Sequence, residues 1–156
     1  MDQHIRLQVE ALLTRYIRVI DEDRLEEWPD LFTETCLYRI ITRENLEQNM
    51  ALAVMEGRSR GMLRDRVTGY RRINVYEPQR YSHQVSALEM ELVDARTVRC
   101  RSNYLVVRTV TDGTMTLFST GTYLDKIVLE ESGARFEERI VVQDSRRVET
   151  LLVIPL

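Results

Sequence analysis

Residues 26–40 read EEWPDLFTETCLYRI. They hold the only tryptophan of the chain, Trp28, followed at once by Pro29. A stretch like this is either the lip of an active site or the corner where a helix becomes a sheet. Its first half, with Leu25 just before it, places Leu25, Trp28, Leu31 and Phe32 at helical spacing, which predicts a short second helix. Pro29 suits such a helix only near its first turn, where the missing N–H costs nothing. Its second half, CLYRII from Cys36 to Ile41, is rich in β-formers and predicts a strand that Cys36 begins. The chain therefore changes periodicity here, with helix before it and sheet after it.

On the N-terminal side, Ile5, Val9, Leu12, Leu13, Tyr16, Ile17 and Ile20 recur at spacings of three and four. They form one apolar face of a first helix, which Asp21, Glu22, Asp23 and Arg24 end. On the C-terminal side, the periodicity returns to helix from Glu44 to Arg72, with Met62, Leu63, Val67 and Tyr70 as its stripe. The remainder alternates at period two. SHQVSALEMELV and TVRCRSNYLVVRTV flank a tight reversal at Asp94-Ala95-Arg96, and Val98, Cys100, Ser102, Tyr104 and Val106 share one face. Asp112-Gly113 is a hairpin signal. MTLFSTGTYLDKIVL is a long strand with Gly121 at a bulge or bend, and RFEERIVVQDS is the last long strand. Helices followed by a long antiparallel meander predict an α+β fold, a curved mixed or antiparallel sheet packed against N-terminal helices and shaped as a cone. Such a cone is either a pocket or a core filled with side chains.

The 156 residues fit one domain, 1–156. A net charge of -3 gives nucleic acid no reason to bind. No apolar run is long enough to span a membrane. The N-terminus lacks the marks of a signal peptide, and two cysteines are too few for a disulfide framework, so a cytoplasmic, reduced location is expected.

The residues that could carry chemistry are few. His4, His83, Cys36 and Cys100 are all the histidines and cysteines present, and none has metal-ligand spacing. Cys36 and Cys100 fall in predicted strands, where a free cysteine is usually a small core residue. His83, in RYSHQ, reads either as a general base or as a histidine hydrogen-bonded at a sheet end or subunit contact. The second reading is the expected one. GRSRG, Gly57 to Gly61, lacks the ending of a phosphate loop. The arginine-rich stretch Arg58–Arg72 is a solvated face, a nucleic-acid patch or a docking surface. The expectation is no catalytic, no cofactor-binding and no metal-binding residue in this chain.

The series EEWPDLFTETCLYRI, RENLEQNM, GMLRDRV, NVYEPQRYSHQV, STGTYLDKIV and VVQDS, in that order, resembles the small (β) subunit of aromatic ring-hydroxylating oxygenases. The likeness is to the branch acting on carboxylated aromatics: salicylate hydroxylases and terephthalate, anthranilate and benzoate dioxygenases. Ala51 stands where that branch suggests a proline. The resemblance implies the cone-shaped fold shared with nuclear transport factor 2. It implies a large (α) subunit carrying a Rieske 2Fe-2S cluster and a mononuclear iron, fed from NAD(P)H through a separate reductase. It also implies small subunits in a three-fold ring within an α3β3 hexamer. The residue count agrees: a Rieske centre needs two cysteines and two histidines, and a facial-triad iron two more histidines and a carboxylate. The rival class is a stand-alone cone-fold isomerase, dehydratase or small-ligand binder.

One segment divides two readings of assembly. Leu151, Leu152, Val153, Ile154 and Leu156 form an apolar tail. It is either laid into the protein's own cone or buried where subunits meet, and the resemblance to a ring-forming family favours the second.

Overall fold

Helix α1 (Gln3–Asp21) starts where the Asp2 carboxylate accepts the His4 backbone N–H at 3.0 Å. Its stripe buries Val9, Leu12, Leu13, Tyr16, Val19 and Ile20. In this computed structural model, residues 2–72, 76–147, 152 and 154–156 are described. A 3₁₀ segment (Leu25–Leu31) follows, then β1 (Phe32–Thr42), α2 (Arg43–Glu47), β2 (Met55–Gly57) and α3 (Arg60–Arg72). Four long strands complete the chain: β3 (Gln79–Asp94), β4 (Thr97–Val110), β5 (Met115–Glu130) and β6 (Gly133–Gln143). No described helix is long and apolar enough to cross a membrane.

Two expectations are corrected. The second helix is a 3₁₀ segment that carries Pro29 inside it, and Phe32 opens β1 instead of ending the helix. A segment this short draws its stability from burying Leu25, Trp28 and Leu31, so an absent N–H matters little. The span from Glu44 to Arg72 is not one helical region. Helix α2 ends by Gln48, Asn49 takes a φ of 54°, and the Val54 N–H donates to the Ile40 carbonyl at 2.8 Å, which starts β2 on the edge of β1. Within α3 only Leu63 and Val67 are buried, while Met62 faces outward.

The sheet is mixed, as one of the two expected forms. Strands β3 to β6 form the antiparallel meander, but β1 lies parallel to β6, giving the order β2-β1-β6-β5-β4-β3. The turn at Ala95-Arg96 and the turn at Asp112-Gly113 stand where the sequence places them, with Gly113 at a φ of 86°. Gly121 is required by space: a Cβ there would lie 1.9 Å from the Val142 carbonyl oxygen and 2.9 Å from the Tyr104 ring.

Helices α1 and α3 cover the concave face. Tyr16, Phe32, Phe136 and Tyr123 meet there edge to face or tilted, with Trp28 on Phe32 and Tyr38 at 5.6 and 5.0 Å between ring centroids. Trp28 is fully buried. The opening stretch is thus a packed corner between the 3₁₀ segment and the sheet.

Candidate functional site

The interior of the cone, where a ligand could sit, is occupied by side chains. Asp125 on β5 and Arg139 on β6 face each other across the ladder. Arg139 donates from Nε and Nη2 to the two Asp125 oxygens, both at 2.9 Å. Both residues are buried. The guanidinium lies 3.9, 4.1 and 4.3 Å from the ring centroids of Tyr16, Tyr123 and Phe136. Burial pushes the Asp125 carboxyl up. Burial acts to lower the Arg139 value, yet the Asp125 carboxylate beside it holds the guanidinium above the usual arginine range. The pair is a bidentate strut between two strands, and each charge satisfies the other.

The tail fills the mouth of the cone. Ile154, Pro155 and Leu156 are buried, and Leu152 is half-buried. The Leu156 carbonyl accepts from the Tyr16 hydroxyl at 2.6 Å and the Tyr38 hydroxyl at 3.2 Å, and its N–H donates to Tyr38 at 3.0 Å. A cavity of about 10 Å³ remains between Phe118, Ser119, Gln143, Leu152 and Leu156. The expected intermolecular burial of the tail is therefore corrected for these residues. Two aromatic hydroxyls inside the cone offer partners for the tail backbone that water or a neighbour would otherwise supply. Leu151 and Val153 lie outside the described residues.

His83 is buried on β3. Its Nδ1 lies 2.5 Å from one Asp21 oxygen, and its backbone N–H donates to the other at 2.9 Å. Asp21, the last residue of α1, was not singled out by sequence. A carboxylate that aligns an imidazole is also the geometry of a general base. Here, however, Nε2 is buried without a hydrogen-bond partner among the described residues, and two grooves of about 600 and 570 Å³ are lined by other residues. The pair ties the end of α1 to β3.

His4 is exposed on α1, with its Nε2 at 2.9 Å from Gln8. Cys36 and Cys100 are free and buried on β1 and β4, with β6 and β5 between those strands. Among the described residues no group of three or more histidines, cysteines and acids could hold a metal. These residues do not fit an iron–sulfur cluster or a mononuclear iron. The thiols are also poor nucleophiles: burial pushes Cys36 up to about 11 and Cys100 up to about 12. Their preference for the neutral form is fully present below the ordinary thiol range and is lost only as pH rises through those values. At pH 8 the native chain should react with iodoacetamide at least about a hundredfold more slowly than the urea-unfolded chain, from the difference in thiolate fraction. Equal rates, followed by mass spectrometry, would show an accessible, activated cysteine.

The arginine-rich stretch is a packing seam. Arg60 donates to the Phe32 carbonyl at 3.0 and 2.6 Å, Arg64 pairs with Asp30 at 3.0 Å, and Arg71 pairs with Asp23 and Glu26 at 2.9 and 2.7 Å. Arg71 holds the Glu26 carboxyl below its usual range. These acids lie in and around the 3₁₀ segment, so the arginines dock α3 against the corner.

Comparison with known proteins places this architecture. Residues 3–140 match the model of the SnoaL-like domain. Over 155 residues, 99% of this chain and 96% of the relative, the sequence is 36% identical to the anthranilate 1,2-dioxygenase small subunit of Burkholderia cepacia. The chain belongs to the small subunits of aromatic ring-hydroxylating oxygenases. The small-subunit relationship extends to a terephthalate 1,2-dioxygenase terminal oxygenase component subunit beta of Comamonas sp, 33% identical over 96% of this chain and 97% of that one. It extends also to a solved structure assigned as the beta subunit of an aromatic-ring-hydroxylating dioxygenase from Novosphingobium aromaticivorans. That structure has a TM-score of 0.90 and 32% identity, covering 99% of this chain and 98% of that one. The α+β cone expected from sequence is thus the fold of this small subunit.

Proposed function

We infer that this chain is the structural, assembly-forming small subunit of a multicomponent aromatic ring-hydroxylating oxygenase whose substrate is a carboxylated aromatic. Full-length similarity to small subunits of anthranilate and terephthalate dioxygenases carries the reading. The filled cone and the absence of a fitting ligand set among the described residues support it. In this reading residues 1–156 are one domain in the cytoplasm, with no catalytic, cofactor-binding or metal-binding residue. The large subunit holds the Rieske 2Fe-2S cluster and the mononuclear iron, electrons arrive from NAD(P)H through a separate reductase, and three small subunits form a ring under three large ones.

Co-expression with the neighbouring large subunit tests this. The two chains should purify together, with all iron in the large one, and the small subunit alone should show no iron–sulfur absorption and no oxygenase turnover. The His83→Ala variant separates the rival class. It should leave turnover of the assembled complex within about tenfold of the parent, whereas a general acid–base role is worth a loss of about 10²–10⁴. Such a loss with assembly and both iron centres intact would assign proton-transfer chemistry to this chain.

A further inference from the structure

Arg108 is an anomaly among the arginines. Arg39, Arg43, Arg60, Arg135 and Arg139 are also less than fully exposed, and each is paired with an acid of this chain. Arg108, half-buried on β4, makes no ion pair among the described residues, and its Nε and Nη1 are buried without a hydrogen-bond partner there. Charged groups taken out of water are ordinarily matched, because an unmatched one keeps its full desolvation cost.

The group beside it is unmatched in the same way. Tyr81 stands directly opposite Arg108 in the β3–β4 ladder. It is 4% exposed, and its hydroxyl is buried without a partner among the described residues. Both groups rest on one ring. The Tyr81 ring centroid lies 5.1 Å from that of Phe118, and Arg108 Cζ lies 4.6 Å from it. Burial pushes the Tyr81 phenol up, while the Arg108 charge acts to lower it. Asp21, the acid that reaches this end of β3, is already taken by the His83 ring and backbone N–H. A guanidinium offers donors only, and the phenol has a proton to place. What both lack is an anionic acceptor.

Room for the rest of such a molecule lies next to them. One pair further along the same two strands, Gln79 and Val110 line the groove of about 570 Å³. Tyr70 and Tyr76, stacked at 5.8 Å, line it too. Its acid, Asp23, is held by Arg71, and its Arg80 makes no ion pair among the described residues. Aromatic walls beside a few unpaired donors suit an anion with an apolar body better than a small hydrated ion.

We propose that Arg108 and Tyr81 are the seat of a small organic carboxylate, whose apolar part lies in the groove along Gln79 and Val110. The proposal stands apart from the assembly reading above and does not depend on it.

Thermal melting of the full chain in benzoate, against chloride at the same ionic strength, is the test. Benzoate raises the midpoint above that in chloride, because a ligand that binds the folded chain alone stabilises it. Arg108→Met melts close to the parent without benzoate, since it gives up no ion pair, and it weakens the apparent benzoate affinity about tenfold or more, the worth of a hydrogen bond to a charged group. Tyr81→Phe weakens it about fivefold and reads the same seat should Arg108→Met not fold. A parent that melts alike in benzoate and chloride overturns the proposal. So does benzoate protection that survives in both variants but is lost in Arg80→Met, which would put the anion on the groove's rim. A parent indifferent to benzoate, with Arg108→Met losing the co-expressed large subunit, would give the cation to an acid of that partner, against the proposal.

Discussion

Deleting residues 151–156 is expected to lower the unfolding free energy by about 5 kcal/mol or more, measured by urea denaturation of the isolated chain. Ile154 and Leu156 are 5% and 0% exposed in the core cluster. Removing a buried side chain of that size costs about 2–5 kcal/mol each, including the cavity left behind. The deletion also leaves the Tyr16 and Tyr38 hydroxyls inside the cone without the Leu156 carbonyl they share. Each buried hydroxyl stranded in this way costs about 1–3 kcal/mol, unless water enters the vacated space. Against a total stability of about 5–15 kcal/mol, the loss brings the domain close to unfolding. Oligomerisation should fall only as far as the fold does. A truncated chain that keeps its urea midpoint but loses its oligomer would return the tail to the subunit interface.

Replacing Asp125 by alanine should cost about 3–5 kcal/mol, because Arg139 is left as a buried cation without its counter-charge. Three aromatic rings around the guanidinium soften this in part, since an aromatic face attracts a desolvated cation by about 2 kcal/mol. The asymmetry is the informative part. Asp125→Leu combined with Arg139→Met should lie within about 1–2 kcal/mol of the parent, because removing both charges removes two desolvation costs along with their attraction. The double-variant cycle in urea reads the coupling directly. A single Asp125→Ala variant that loses less than about 1 kcal/mol would mean that water reaches the pair and that the cone is less closed than its packing indicates.

Much of the fold was legible because its signals are local. The stripe from Val9 to Ile20, the Asp112-Gly113 turn and the alternation of Val98, Cys100, Ser102, Tyr104 and Val106 each need only a few neighbouring residues to be read. The failures are equally specific. The span after Thr42 reads as helix from apolar spacing, yet β2 forms there because the edge of β1 has unpaired backbone groups to offer, which no local pattern displays. The expected mixed or antiparallel sheet did not say which strands run parallel, because the seat of β1 beside β6 joins strands separated by the rest of the chain. The site residues followed the same division. How few histidines and cysteines there are could be counted in advance, since two of each bound what such a set could contain. That His83 is spoken for by Asp21 could not, because the pair spans 62 positions.

Asp125 and Arg139 mark the boundary most clearly. Each sits at an inward position of its strand, between Tyr123 and Ile127 and between Phe136 and Val141, and a charged residue there is a visible anomaly in the alternation. The sequence by itself determined the class of fold, the order of its elements, the family and the shortage of ligands, because periodicity, turn chemistry, motif order and composition are properties of short or unordered sets of residues. Only the tertiary structure decided that the anomaly is a matched pair and that the tail closes its own cone. Those outcomes depend on which strands become neighbours, and in a sheet of this register one ladder sets two distant charges opposite each other while the next row leaves its charges facing solvent.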